Sequence, residues 1–236
     1  EKVYRSGVCK GWPRFGLVVQ AYSKRALPTL CWITALAKEC GDEIPVRLVK
    51  GAYWDNEIKW TQENGLLGYP VFTRKSHSDI SYLACARYLL SDDTDGAIYP
   101  QFATHNAQTF MAIQQMNETH QRRIEYQRLH GMGDSLYDTI MEQNPGMVVR
   151  IYAPVGPHKD LLPYLVRRLL ENGANSSFVH KLLDADTPVN DLVEHPMKTA
   201  SGYEKYANSK IPLPSEMYGD RTNSLGLNMN IHSQAD

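Results

Sequence analysis

Two adjacent arginines, Arg167 and Arg168, follow Tyr164 and precede Glu171 in a stretch with helical spacing. At about 100° per residue these four share one sector, while Leu162, Leu165, Val166, Leu169 and Leu170 fill the opposite arc. A guanidinium fork binds a carboxylate bidentately, and Glu171, one turn after Arg167, can hold that arginine in a single rotamer. The pattern reads as a carboxylate receptor, although a solvated face with a surface ion pair uses the same residue types. Asp160 is expected to cap this helix, Pro163 to sit in its first turn, and Asn172-Gly173 to end it.

Further chemistry-bearing residues fall at the ends of apolar runs. Arg47 lies inside Val46-Arg47-Leu48-Val49, and a buried guanidinium needs a carboxylate or an electron-rich ligand opposite it. Lys50 ends the same run and could serve as a Schiff-base amine or a phosphate ligand. Phe72-Thr73-Arg74-Lys75 stands beside a helix start, which suits an anionic phosphate. Thr104-His105-Asn106 and His130-Gly131-Met132-Gly133 mark two more strand ends. Histidine at the first suits capping or orienting, and glycines at the second allow close approach of a flat ligand. None of the eight histidines has a short-range partner with metal-ligand spacing, so no metal site is expected.

The elements that must position these groups alternate. Strands are expected at 15–20, 46–50, 97–103, 124–129 and 148–152. The first has the apolar character of a strand buried on both faces. Helices are expected at 23–39, 55–64, 78–91 (capped by Ser76 or Ser78), 105–119 and 134–143, followed by the arginine-pair helix. Five strand-then-helix units imply an α/β fold with a parallel sheet. A doubly wound sheet that binds a dinucleotide carries GxGxxG after its first strand, and none is present. Gln20, Lys50-Gly51, Thr104 to Asn106, His130-Gly131 and Tyr152 instead gather at successive strand ends, which is the pattern of a (βα)8 TIM-type barrel. Five units make the last part of such a barrel, spanning residues 1–183. The first three units are expected upstream of a start, Glu1-Lys2-Val3-Tyr4, that reads as internal. Residues 184–236 lose periodicity and gather proline, asparagine and serine, as an extension or a linker toward a following domain does.

With 236 residues, 42% apolar content and a net charge of −1, the chain has no composition suited to nucleic acid. No apolar run reaches the roughly 18 residues of a membrane span. Four cysteines without CxxC spacing fit thiols in a reducing cytosol.

Taken together, several stretches resemble proline dehydrogenase, in the form fused into bacterial bifunctional proline utilisation flavoenzymes. They are Val19-Gln20-Ala21-Tyr22, Arg47 through Asp55, Phe72-Thr73-Arg74-Lys75, and Gln101 through Ala107. Gln127 through Gly133, Arg150 through Gly156, and the arginine-pair helix through Asn175-Ser176-Ser177-Phe178 complete the set. The resemblance implies an FAD-dependent oxidation of L-proline to Δ1-pyrroline-5-carboxylate, by hydride transfer to flavin N5, with electrons passed to a membrane quinone. It implies that Arg167 and Arg168 clamp the proline carboxylate and Glu171 orients them, with Tyr152, Tyr164 and Leu129 shaping the ring pocket. Arg47 would stand near flavin N5. Gln20, Lys50, Gly51, Tyr53 and Trp54 would line the flavin, Phe72, Thr73, Arg74 and Lys75 would hold the pyrophosphate and adenosine end, and Thr104 and His105 would touch the cofactor.

The tail, with Ile211 to Pro214 and Asn223 to Leu227, is similar to the segment that leads to a fused aldehyde dehydrogenase. The full-length protein would then be a cytoplasmic homo-oligomer, peripherally attached to membranes. A substrate-side lysine and aspartate would precede residue 1, and a chain lacking them would be an inactive fragment. A Schiff-base aldolase using Lys50 is the rival enzymatic reading.

Overall fold

The computed structural model describes residues 1–9, 12, 15–173, 188 and 193–227, with the side chains of 170–173 left aside. Glu171's side chain and the stretch Asn175 to Phe178 lie outside the described residues.

Among them a five-stranded sheet runs in chain order: β1 (Leu17–Gln20), β2 (Ile44–Val49), β3 (Ile98–Ala103), β4 (Glu125–Leu129) and β5 (Val149–Tyr152). Every adjacent pair is parallel. A doubly wound sheet reverses its strand order at a switch point, whereas this one progresses in a single direction, as consecutive units of a barrel do. The fold is α/β, five units of a (βα)8-type barrel.

The helices are α1 (Lys2–Arg5), α2 (Ala26–Cys40), α3 (Trp54–Glu63), α4 (Lys75–Leu90), α5 (Ala107–His120), α6 (Asp134–Gln143), α7 (His158–Gly173) and α8 (Pro196–Ser201). Strand alternation decides which residues meet them. In β2, Ile44, Val46 and Leu48 are fully buried while the residues between are not, and β3 repeats the pattern. That apolar face packs under Leu30 and Ile33 of α2, Tyr82 and Leu89 of α4, Phe110 and Ile113 of α5, and Tyr137 of α6. Each such side chain contributes roughly 1.5–3 kcal/mol. The opposite face, the barrel interior, carries Val18, Arg47, Gln101 and Glu125 in register.

Three local expectations are corrected. β1 is not buried on both faces: Val19 is, but Val18 is 50% exposed because it lies on the interior side of an edge strand. Neither Ser76 nor Ser78 caps α4, because the carbonyl of extended Arg74 already accepts from the amides of His77 and Ser78, starting the helix at Lys75. Likewise the Pro157 carbonyl accepts from Asp160 and Leu161, so α7 starts at His158, Asp160 falls in its first turn, and Pro163 lies inside the helix. The leucine arc of α7 is not a buried face; Leu162, Leu165, Val166 and Leu169 are 37–62% exposed. Periodicity identifies which residues share a face, not whether a neighbour covers it.

The described part of the tail contacts the barrel units. The Tyr69 hydroxyl donates to the Pro212 carbonyl at 2.6 Å, the Gly226 amide donates to the Gly65 carbonyl at 2.8 Å, and α8 packs on α4. No described helix is long and apolar enough to cross a membrane.

Candidate active site

A cavity of about 430 Å³ opens at the C-terminal ends of the strands, a size suited to a small molecule or part of a cofactor. Strand ends supply Gln20 from β1, Lys50 and Gly51 after β2, Ala103 and Thr104 at β3, and Tyr152 from β5. Tyr164 and Arg168 reach it from α7.

Aromatic rings hold both arginines, and Arg168 of the two lines the cavity. Arg168 Cζ stands 4.2 Å from the Tyr164 ring centroid and 5.2 Å from that of Tyr53, and its Nη2 donates to the Tyr53 hydroxyl at 3.5 Å. Arg167 Cζ lies 5.0 Å from the centroid of the same Tyr53 ring. Tyr53 sits just before α3, so it ties α7 to the loop that follows β2. Cation–π contacts of this kind are worth roughly 0.5–2 kcal/mol each and hold a guanidinium without using its N–H donors.

Arg47 projects from β2 into the barrel interior, with Cζ 5.3 Å from the Tyr152 ring centroid. Its Nε is buried and finds no hydrogen-bond partner among the described residues. A buried donor left unsatisfied costs about 1–3 kcal/mol, so this cation is poised for an acceptor that the described residues do not supply.

Lys50 donates to Asp79 Oδ1 at 2.6 Å, and Lys75 donates to Asp79 Oδ2 at 2.7 Å. Burial alone would raise the Asp79 pKa, but the two ammonium charges outweigh it and hold the carboxyl below its ordinary value. The result is a fixed two-lysine cluster at the cavity rim.

His105 Nε2 accepts from the Leu129 amide at 3.1 Å, which places its proton on Nδ1. Burial, and after it the Arg128 charge, lowers its pKa and keeps it neutral. Asn106 caps α5 by accepting from the Thr109 amide at 2.8 Å, while the Thr104 carbonyl accepts from Tyr137 at 2.8 Å. The β3 end is thus rigid and uncharged.

A family model described as proline dehydrogenase matches residues 1–181. The chain belongs to the proline dehydrogenase family. The bifunctional protein PutA of Salmonella typhimurium is 48% identical over 246 residues, covering 97% of this chain and 18% of that protein. A crystal structure of a variant of Bradyrhizobium japonicum proline utilization A superposes with a TM-score of 0.88 at 48% identity, over 96% of this chain and 23% of that one. Proline utilization A of Bdellovibrio bacteriovorus, inactivated by N-propargylglycine, gives 0.81 at 30% identity, over 96% and 23%. The chain therefore spans about a fifth of these relatives.

Of the residues that family resemblance singled out, the cavity brings together Gln20, Arg47, Lys50, Gly51, Tyr53, Lys75, Thr104, His105, Tyr152, Tyr164 and Arg168. Others stand apart from its lining. Leu129 is 1% exposed and pairs in register with Tyr152. The Trp54 ring packs against a small second core of Tyr22, Ile58, Tyr69 and Val71, and its Nε1 donates to the Phe72 carbonyl at 2.7 Å. Thr73 and Arg74 are engaged by the tail: Thr73 Oγ1 accepts from the Asn208 amide at 2.9 Å, and Arg74 Nη2 donates to the Ala207 carbonyl at 3.1 Å.

Sequence reasoning missed Asp79 and the Glu125–Arg150 pair. Asp79 is four residues after Lys75 on a helix, a spacing that announces the contact. Glu125 is a charge inside a strand, the signal that singled out Arg47. It accepts from Arg150 Nε and Nη2 at 2.7 and 2.6 Å and from Gln127 Nε2 at 2.6 Å. Among the described residues no group of His, Cys, Asp and Glu side chains could hold a metal ion.

Burial pushes the Glu125 pKa up, but hydrogen bonds from Arg150 and Gln127 prevail and leave it lowered. A carboxyl depressed in the folded state stabilises above its unfolded pKa, and that stability is lost as pH falls through the folded value. Glu125→Gln is therefore expected to cost about 1–3 kcal/mol at neutral pH and to flatten the acid limb of stability. Urea midpoints of both proteins between neutral pH and the acid range measure this. Parallel curves would refute it.

Proposed function

We propose that this chain is the C-terminal part of a barrel that oxidises L-proline to Δ1-pyrroline-5-carboxylate, with FAD as cofactor and a quinone as final acceptor. The observation that carries the reading is the inward-facing Arg168, gripped by Tyr53 and Tyr164, across one cavity from the unsatisfied Nε of Arg47. One cation suits a small carboxylate. The other suits an electron-rich ring, so the residues present fit a flavin.

When bound, the flavin supplies the hydride acceptor for the ring carbon next to the substrate nitrogen. The chain's residues supply position and charge. Arg168, with Arg167 beside it on the Tyr53 ring, fixes the carboxylate and so one end of a small rigid substrate. Such anchoring provides much of the effective concentration. Arg47 offers positive charge where the reaction delivers electrons. Tyr152, below Arg47, walls the ring pocket. Lys50 and Lys75, both tied to Asp79, bring net positive charge to the rim for a diphosphate. Its relatives' description as bifunctional supports a fused dehydrogenase, and a homo-oligomer associated with the membrane surface completes the proposal.

The test is whether protein expressed from the complete reading frame is yellow as purified and loses its visible flavin bands when L-proline is added without oxygen. Colourless protein that takes up no FAD would end the reading. Tyr152→Ser is expected to raise activity on ring-hydroxylated proline relative to proline by about 3- to 30-fold, as removal of a pocket wall does. An unchanged ratio would remove Tyr152 from the pocket.

The Schiff-base aldolase reading has no support in the geometry. Imine formation needs a free amine as nucleophile, and Lys50 is a donor in a 2.6 Å ion pair beside a second lysine.

A further inference from the structure

The loop and helix start at Phe72 to Lys75 do not hold themselves. The guanidinium of Arg74 lies over the Tyr203 ring, 3.9 Å from Cζ to centroid, and donates from Nη2 to the Ala207 carbonyl at 3.1 Å. Its Nε is buried without a hydrogen-bond partner among the described residues. Thr73 Oγ1 accepts from the Asn208 amide at 2.9 Å, which leaves its hydroxyl hydrogen available to another acceptor. Ser76, buried in the first turn of α4, meets the Tyr203 hydroxyl at 3.4 Å. The His77 ring packs edge-on to Tyr203 and also meets Phe72. A six-residue stretch from beyond the barrel, 203–208, thus contacts Thr73, Arg74, Ser76 and His77.

These contacts occupy the face of Arg74, one Nη2 donor and one lone pair of Thr73, and they leave the Arg74 Nε–H without a partner among the described residues and the Thr73 hydroxyl hydrogen unused by Asn208. A strap that merely closed the surface would satisfy those donors. One that aims them at an anion would not.

We propose that residues 203–208 form part of the cofactor site, with Tyr203 as the positioning residue that holds Arg74 for the diphosphate of FAD. This inference rests on the proposed flavin function. Tyr203 touches no cofactor itself and acts through Arg74. The ring, not the hydroxyl, does the positioning, since the stacking is close and the hydroxyl contact long.

The test uses protein from the complete reading frame, with Tyr203→Leu and Tyr203→Phe, and measures FAD dissociation constants by fluorescence together with the melting temperature with and without FAD. Tyr203→Leu is expected to weaken FAD about 3- to 30-fold. It should also shrink the FAD-induced rise in melting temperature while leaving the apoprotein melting temperature within a degree or so. Tyr203→Phe, which keeps the ring, should restore wild-type FAD affinity. At saturating FAD, the KM for proline of Tyr203→Leu should stay within about twofold of wild type, because Arg168 is untouched.

Wild-type FAD affinity in Tyr203→Leu would overturn the proposal, as would an apoprotein destabilised as much as the holoprotein, which marks a purely structural contact. Loss of affinity in Tyr203→Phe equal to that in Tyr203→Leu would also overturn it, since the ring is then not the operative group. Failure of the wild-type protein to bind FAD would instead refute the flavin function on which the inference rests.

Discussion

On the proposed function, replacing Arg168 by methionine is expected to raise the KM for L-proline by about 30- to 1000-fold and to leave bound flavin in place. The magnitude follows from what is removed. A charge-assisted, bidentate contact to a carboxylate is roughly twice as strong as a neutral hydrogen bond, and its loss also strands the substrate's charge in a partly desolvated cavity. Together these amount to about 2–4 kcal/mol, which is the stated range. Methionine keeps the unbranched stem packed beside Tyr164, so the cavity wall persists. Lysine should rescue only part of the effect, because an ammonium supplies charge without the planar fork. Steady-state kinetics with proline and an artificial electron acceptor, alongside flavin absorbance, make the measurement. A KM within threefold of wild type would show that Arg168 is held by Tyr53 and Tyr164 for packing alone.

Arg167→Met separates the two arginines. Its guanidinium also stands over Tyr53, but it is not part of the cavity lining. Arg168 lines the cavity and Arg167 does not, so the proposed reading expects the larger effect at Arg168, a distinction that adjacency in sequence does not reveal.

How much of this was legible beforehand depends on the distance over which each signal acts. The alternation of β2, with Arg47 between Val46 and Leu48, is a local pattern, and local patterns found every described strand and six of the eight described helices, missing the short α1 and α8. The cap of α4 and the start of α7 were misplaced because neighbouring carbonyls, those of Arg74 and Pro157, were already in position to accept the first helical amides. No side-chain cap was needed there. The site divides in the same way. Residues at strand ends meet at one mouth because a parallel barrel sends them there. Thr73 and Arg74, by contrast, meet residues more than 130 positions later, and nothing in their own neighbourhood signals Tyr203 or Asn208. The exposed leucine arc of α7 makes the same point from the other side: amphipathicity foretold a face but not its burial.

Gly51→Ala is expected to destabilise the protein by about 3–5 kcal/mol and to abolish flavin binding. Gly51 follows Lys50 at the end of β2 with φ of 116°, a conformation that a Cβ makes costly. A Cβ there would also fall 2.0 Å from Cδ1 of Tyr22, whose ring is 4% exposed and packed against Ile58, Tyr69 and Val71. Either the backbone turns, moving Lys50 and Tyr53 on both sides of it, or the ring leaves its core. The first removes the lysine–aspartate cluster and the Tyr53 clamp from the cavity together. The second opens the small core. The double variant Gly51→Ala, Tyr22→Leu distinguishes the two costs. Relief of the clash should return about 1–2 kcal/mol of the loss, while the strain of the positive φ remains. Urea denaturation of the two single variants and the double variant completes the cycle. Strict additivity of the two substitutions would mean that the Tyr22 ring is not what reserves this position for glycine.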